Sequence, residues 1–557
     1  MRPATPPVTP RFGLQGPVVG WQDPWAGPES DRIMRTGTGR VYPSQDPAPG
    51  GAGFLATVRD LGCDFYVHHM LPDGREIGGL LADARRAGVG VVLGNEYGNI
   101  NGPWLDGTNR FDVPGPVVAA AAAVGCLEGV LYDEPEHLQI NAGQYRTDGW
   151  FPHWGRTDGL TAPAAKAAVT EAMRQAAVRL SRAMAGRDVP VVTEHVFPLL
   201  FHASARAGMT VAPKVMKESF QSLQLASALG AARQYGTGLW ICADLWGPDI
   251  GPWFTRLPGL PGHSPGEYES ALRLAYLLGP THLFTEGSDV LLRFGPGGGE
   301  GRHDGGGGRA RLTEFGEAWR RFRRDYVPRH PLAWSHRDVS AGTAIIWTDN
   351  SNYGQNARLF GNRELAPGDG GDAIFRVWHL VSHGTIPAHG SCMHIPGYEF
   401  PRARLKELYE SGRLVLPGPG PAPATASHGL FYPMTDVLVF DEDVGPEVLG
   451  QPRLIFLVGG PASARAQAAA VAACERGATV IVDVAAAPPG LAASTRRGRG
   501  WWIVTGDVLD DRCAEITAPL LGAPDCWRMR FGQHEVRMYR ANDSGTELDF
   551  EVAAARA

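Results

Sequence analysis

Eight times before about residue 330, a short run of apolar and β-branched residues gives way to a longer Ala/Leu-rich run with helical periodicity. The short runs are residues 18–22, 64–68, 89–94, 129–132, 190–194, 210–213, 239–243 and 282–286; among the long ones are 77–87, 117–124, 162–185, 219–235, 267–278 and 311–326. Strands alternating with helices build a parallel sheet, because each helix carries the chain back to start the next strand in the same direction. Eight such units are the number that closes a (β/α)8, or TIM, barrel. The alternative is an open doubly wound sheet, but such sheets seldom reach eight strands without a glycine-rich first turn for a nucleotide.

At 557 residues the chain exceeds one ordinary domain. The reading divides it into a flexible N-terminus (1–14), the barrel (15–330), a Rossmann-like α/β unit (331–525) and a C-terminal β segment (526–557). In the α/β unit the strand runs are 343–347, 436–440, 454–458, 479–483 and 501–505, with helices at 373–382 and 462–476. Residues 527–551 alternate like edge strands.

The chemistry expected of the chain narrows by exclusion. A net charge of -6 with scattered Lys and Arg offers no field for nucleic acid, and no apolar run approaches the roughly 20 residues that span a bilayer. The seven cysteines form no CxxC pair, and GxGxxG, GxxxxGK[ST] and HExxH are all missing, so neither a cofactor nor a metal is expected. With no apolar leader after Met1, the chain as written is expected in the cytoplasm, or outside the cell if a leader has been trimmed.

A barrel of this type carries its active site at the carboxyl ends of its strands. There the sequence places carboxylates and aromatics: Trp21 and Asp23 after the first strand, His68 and His69 after the second, Asn95 and Glu96 after the third. Asp133, Glu134 and Glu136 follow the fourth, Glu194 and His195 the fifth, Asp244 and Trp246 the seventh, Glu286 the eighth. Glycosidic cleavage needs one carboxyl to protonate the leaving oxygen and another to attack or stabilise the sugar cation, while Trp faces hold pyranose rings. Glu134 is the candidate acid, with Glu286 or Asp244 as its partner. Trp21, His68, Asn95, Glu96, Asp133, Glu136, Glu194, His195 and Trp246 are the candidate sugar contacts.

In order and context, residues 129–137, 190–194 and 436–483 resemble the clan A glycoside hydrolases, above all the family 42 β-galactosidases. Those have a barrel followed by a glutamine-amidotransferase-like trimerisation domain. The resemblance covers about residues 15–525 and implies a carbohydrate substrate, Glu134 as acid/base and a homo-oligomer, dimer or trimer. Asp133 stands where that clan has Asn, and Asp244 or Glu286 must replace its strand-seven Glu. The Asp133-Glu134 pair also resembles hexosaminidases whose substrate supplies its own N-acetyl nucleophile. Residues 456–463 turn from strand to helix without the amidotransferase cysteine, so the second unit reads as non-catalytic. A barrel that only binds carbohydrate is the non-enzymatic alternative.

Overall fold

The computed structural model describes residues 9–16, 51–70, 77–96, 113–136, 157, 159–215, 221–244, 264–293, 311–349, 353–355, 373–386, 388, 429–543 and 545–555. Eight parallel strands close a barrel in chain order: β1 (Arg11–Gln15), β2 (Phe65–His69), β3 (Gly90–Glu96), β4 (Leu127–Asp133), β5 (Val191–His195), β6 (Thr210–Val215), β7 (Trp240–Ala243) and β8 (His282–Thr285). β8 returns to β1 with Phe12 opposite Leu283. Seven strands coincide with the expected runs to within a residue or two. The first does not.

β1 lies within the stretch read as a flexible N-terminus except for its last residue, Gln15, and residues 18–22, expected to form that strand, lie outside the described residues. Its five residues include no β-branched side chain, so the usual strand signal is missing. Alternation sends Gly13 and Gln15 inward instead of an apolar pair. Glycine is required at position 13, where a Cβ would stand 2.2 Å from the Phe65 ring.

Below the carboxyl-end layer the barrel is packed solid. Phe65, Val67, Val92, Leu131, Val192, Ala212, Trp240, Cys242 and Phe284 form a buried cluster of their own inside it. The outer ring includes α1 (Ala52–Asp60), α2 (Ile77–Ala87), α3 (Gly115–Val124), α4 (Ala162–Ala183), α5 (Phe201–Arg206), α6 (Gln221–Tyr235), α7 (Pro265–Leu277) and α8 (Glu314–Arg321). The sequence reading has no counterpart of α1 or α5. None of the helices among the described residues is long and apolar enough to cross a membrane.

Beyond a two-stranded ribbon of Leu292–Arg293 with Arg311–Leu312, the described residues build two larger sheets. Their strands are β9 (Val339–Ser340), β10 (Thr343–Trp347), β11 (Met434–Thr435), β12 (Val437–Asp441), β13 (Leu454–Val458), β14 (Thr479–Asp483), β15 (Thr495–Arg497), β16 (Gly500–Thr505), β17 (Trp527–Phe531), β18 (His534–Arg540) and β19 (Leu548–Ala554). One sheet runs β12-β10-β13-β14-β16-β15 and is parallel apart from β15, with α9 (Ala373–Val381) and α10 (Ala464–Arg476) beside it. The other joins β9, β17, β18 and β19, with β11 paired to β17. Thus the C-terminal strands recruit two short segments from earlier in the chain.

An exposed sheet edge invites unwanted pairing, and here the barrel covers it. α6 lies so close to β12 that a Cβ on Gly230 would stand 1.7 Å from the Val439 carbonyl oxygen. His202 Nε2 lies 3.1 Å from that same oxygen, which makes Nε2 the protonated nitrogen of a neutral ring. At the end of β12, Asp441 accepts from Tyr235 Oη at 2.5 Å and Arg206 Nη2 at 2.7 Å, and Lys166 Nζ pairs with Glu442 at 2.6 Å.

Two measurements test this contact. Gly230→Ala should cost about 1–3 kcal/mol in urea unfolding, because neither backbone can yield, whereas Gly78→Ala, exposed on α2 with nothing near, should gain about 0.5–1 kcal/mol. Burial also lowers the His202 pKa to about 4. Between that value and the unfolded value near 6.5, only the unfolded chain takes the proton, so stability falls as pH drops through this window. His202→Gln should remove up to about 1.4 kcal/mol per pH unit of that dependence.

Candidate active site

At the carboxyl end of the barrel, strand alternation continues the inward-facing columns by one more residue each. Above Gly13, Val67, Leu131, Val192, Ala212, Cys242 and Phe284 come Gln15, His69, Asp133, Glu194, Lys214, Asp244 and Glu286. All seven are buried or nearly so, and five are ionisable besides the histidine. They form a polar layer on an apolar floor.

Lys214 is the centre of that layer. Its Nζ lies 2.5 Å from Glu286 Oε2, 2.8 Å from Glu134 Oε1, 3.3 Å from Asp133 Oδ1, 3.5 Å from Asp244 Oδ2 and 3.6 Å from Glu194 Oε1. Asp133 is pinned from the other side, accepting a hydrogen bond from Gln15 Nε2 at 3.0 Å and lying 3.2 Å from His69 Nε2. Consecutive strand residues face opposite ways, yet Asp133 and Glu134 both reach the ammonium. The backbone explains it. Glu134 leaves the strand with φ 47, in the left-handed region that residues other than glycine seldom occupy, just before Pro135. Its N–H still donates to the Glu194 carbonyl at 3.0 Å, so the turn is anchored to β5.

Among the described residues five buried carboxyl groups share one ammonium, and they cannot all be ionised cheaply. Burial and neighbouring Asp133 push the Glu194 carboxyl well above the usual carboxylate range; burial and Asp244 do the same to Glu286. Asp244 rises to about 7, burial outweighing the nearby ammonium. Lys214 keeps its proton. Burial opposes its charge, but Asp133, Glu134, Glu286 and Glu194 hold its pKa well above the ordinary lysine value. Glu194, Asp244 and Glu286 therefore hold protons more firmly than carboxyls in water do.

Three expected sugar contacts stand elsewhere. His68 faces outward with Tyr66, their ring centroids 5.7 Å apart, and His69 takes the inward position; the carboxyl-end residue of a strand is chosen by parity, not by order. Glu136 and His195 lie behind β5. Glu136 accepts from the backbone N–H groups of Val196 and Phe197 at 2.5 and 3.3 Å and lies 2.7 Å from His195 Nδ1, while His195 Nε2 is 3.2 Å from Ser204 Oγ on α5. Together they splice the turn after β5 to its helix. Asn95 and Glu96 end β3, paired in register with Tyr132 and Asp133. The Asn95 and Glu96 side chains, and Trp21 and Trp246 altogether, lie outside the described residues.

Lys214, Gln15 and His69 were not among the expected sugar contacts or catalysts. Lys214 had a signal: a lone Lys two residues beyond an inward Ala in a buried strand, hidden because Pro213 reads as a strand end. Glu194, Cys242 and Glu286 offer ligand atoms within 4.8 Å of one another, close enough to share a cation, but the ammonium already lies against Glu286.

The fold and this layer define a (β/α)8 barrel carrying an acid cluster at its carboxyl end, followed by a parallel α/β sheet. No known family profile matches the chain, and none of the curated proteins searched resembles it in sequence. Among solved structures it is similar to the β-galactosidase of the psychrophilic Marinomonas ef1, at 10% identity and TM-score 0.53 over 95% of both chains. The β-galactosidase of Rahnella sp. R3 gives 11% identity and TM-score 0.46 over 95% of this chain and 93% of that one. The exo-β-1,4-mannosidase Op5Man5 of Opitutaceae bacterium strain TAV5 gives 12% and 0.41 over 88% and 79%. At such identities the likeness to the Marinomonas enzyme is one of fold.

The acid layer has a signature in stability. Folded Asp244 keeps a proton up to about pH 7 that the unfolded chain loses near pH 4, so its contribution falls as pH rises across that window. Asp244→Asn should therefore gain on the wild type by up to about 1.4 kcal/mol per pH unit from pH 4 to 7, read from urea midpoints.

Proposed function

We propose that the chain is a retaining glycoside hydrolase, with Glu134 as general acid/base and Glu286 as nucleophile. One observation carries the reading. Lys214 Nζ touches Glu134 at 2.8 Å and Glu286 at 2.5 Å, so those two carboxylate oxygens stand no further apart than the two lengths laid end to end. Retaining enzymes hold their carboxyls about 5–5.5 Å apart, and inverting enzymes about 6.5–9.5 Å to admit a water. That upper bound admits the first spacing and lies below the second. The architecture shared with a β-galactosidase supports the same class.

In this mechanism the Glu286 proton first passes to water, the Lys214 ammonium beside it holding the carboxylate, and Glu134 then gives its proton to the glycosidic oxygen as Glu286 attacks the anomeric carbon. The alcohol departs and a glycosyl ester remains on Glu286. Glu134, now a carboxylate, takes a proton from water as that water attacks the same carbon and releases Glu286. Asp244, against the same ammonium, is the alternative nucleophile. Trp21, Asn95, Glu96 and Trp246 stay proposed sugar contacts on chain position alone. Asp133 favours a second reading, because a buried carboxylate pinned by Gln15 and His69 is set to orient a substrate N-acetyl group that would serve as the nucleophile.

The unit from about residue 331 is proposed as non-catalytic, serving contacts between copies of the chain. Gly459 and Gly460, both at positive φ, occupy the turn from β13 toward α10 where an amidotransferase-like elbow would hold its cysteine, which supports that role.

A screen of aryl glycosides with proton NMR of the first product tests the class, and an inverted anomer would remove the retaining mechanism. Glu134→Gln should lower kcat by about 10²–10⁴-fold on a poor leaving group and far less on an activated one. Equal losses on both, in a folded variant, would remove Glu134 as the acid. Glu286→Gln should abolish turnover on either leaving group; retained turnover there with loss in Asp244→Asn would transfer the nucleophile to Asp244.

A further inference from the structure

The five carboxylates around Lys214 fall into two shells. Glu286 and Glu134 touch the ammonium, while Asp133, Asp244 and Glu194 stand back at 3.3–3.6 Å. The outer shell is under-used. Both oxygens of Glu194 and both of Asp244 have no hydrogen-bond partner among the described residues, although Glu194 is 0% and Asp244 3% exposed. Such buried acceptors are costly unless something comes to occupy them.

The inner shell has the opposite difficulty. For Glu134 to protonate a glycosidic oxygen and Glu286 to attack beside it, the space between them must hold the scissile bond. At rest it holds an ammonium. A cation pressed against Glu134 also favours the carboxylate over the acid that the reaction needs. Both difficulties end if the ammonium leaves the gap altogether for the unpartnered oxygens of Glu194 and Asp244.

We infer that the gap between Glu134 and Glu286 is a cation seat, filled at rest by the Lys214 ammonium, which withdraws toward Glu194 and Asp244 when a ligand bearing positive charge takes its place. The ligand class is an organic cation: a protonated amine, or a sugar ring that becomes positive in its transition state. The sugar rests on the glycosidase reading; the seat itself does not. Lysine suits the task, because its flexible four-carbon stem lets a compact charge shift while staying inside one anionic shell.

Lys214→Ala opens an alkyl-shaped channel that ends at the seat. Titrated with n-propylammonium and with neutral n-propanol, the folded variant should bind the cation at least roughly tenfold more tightly, by calorimetry and by a saturable rise in Tm, while the wild type, where the ligand must first displace Lys214, shows the same preference at higher concentration. Equal response to the alcohol, or no saturable binding, overturns the seat. If Lys214→Ala fails to fold, Lys214→Met, one atom shorter than lysine, leaves the Nζ position open. Ammonium chloride should then raise its Tm above that in sodium chloride at equal ionic strength, and no difference overturns the inference. Selective cation binding with no hydrolysis of any aryl glycoside would keep the seat and remove the glycosidase; hydrolysis without selective binding would do the reverse.

Discussion

A single ammonium, Lys214, stands among five buried carboxyl groups, and the carboxyl-end layer is organised around that imbalance. Without the cation the acids would repel one another in a medium that screens poorly; with it, three of them still hold protons more firmly than carboxyls do in water. Removing one partner from such a buried network costs about 3–5 kcal/mol, far more than a surface pair. The barrel therefore carries a destabilising group of charges at the one end where its fold class does chemistry. The solid apolar floor beneath it, with Trp240 and Phe65 at its base, supplies the rigidity that keeps the charges close.

That rigidity extends past the barrel. β12 is an edge strand whose outer side meets α6 at a glycine, and the Asp441 end of the strand is tied to Arg206, Gln234 and Tyr235. β5 leads into α5 through the Glu136–His195–Ser204 chain, and α5 carries both His202 and Arg206. A covalent path of a dozen residues thus joins Glu194 in the acid layer to the contacts that hold the second sheet.

Most of the fold was legible in the sequence because a parallel barrel writes each strand as a short apolar run between helices. Strand β1 escaped because Gly13 and Gln15 take the places where apolar residues would have signalled it. The acidic members of the site were legible for the same reason, since a carboxylate at a strand end breaks an apolar pattern. Lys214 was not, because Pro213 masks the strand's continuation to Val215. His68 and Glu136 show the limit of reading by proximity: one residue of register sends a side chain to the other face, and a carboxylate two residues past the strand can turn to satisfy backbone N–H groups instead. The left-handed turn at Glu134, which brings two consecutive acids to one ammonium, has no counterpart in composition or period.

The short first strand has a bearing on how the molecule is made. β1 is flanked by β2 and β8, and its pairing with β8 joins residues 11–14 to residues 282–285, so the seam is the barrel's strand pairing most distant in sequence. Loop-closure entropy delays such pairings, and during synthesis residue 11 must wait for the eighth strand to leave the ribosome. Until then the β8-facing edge of β1 stays open, while its other edge can join β2 early, where Phe65 fits over a residue with no side chain. The sheet of the nascent chain thus stays unclosed until β8 is made, and the acid layer, which draws Gln15 from the first strand and Glu286 from beyond the last, cannot be complete before that closure.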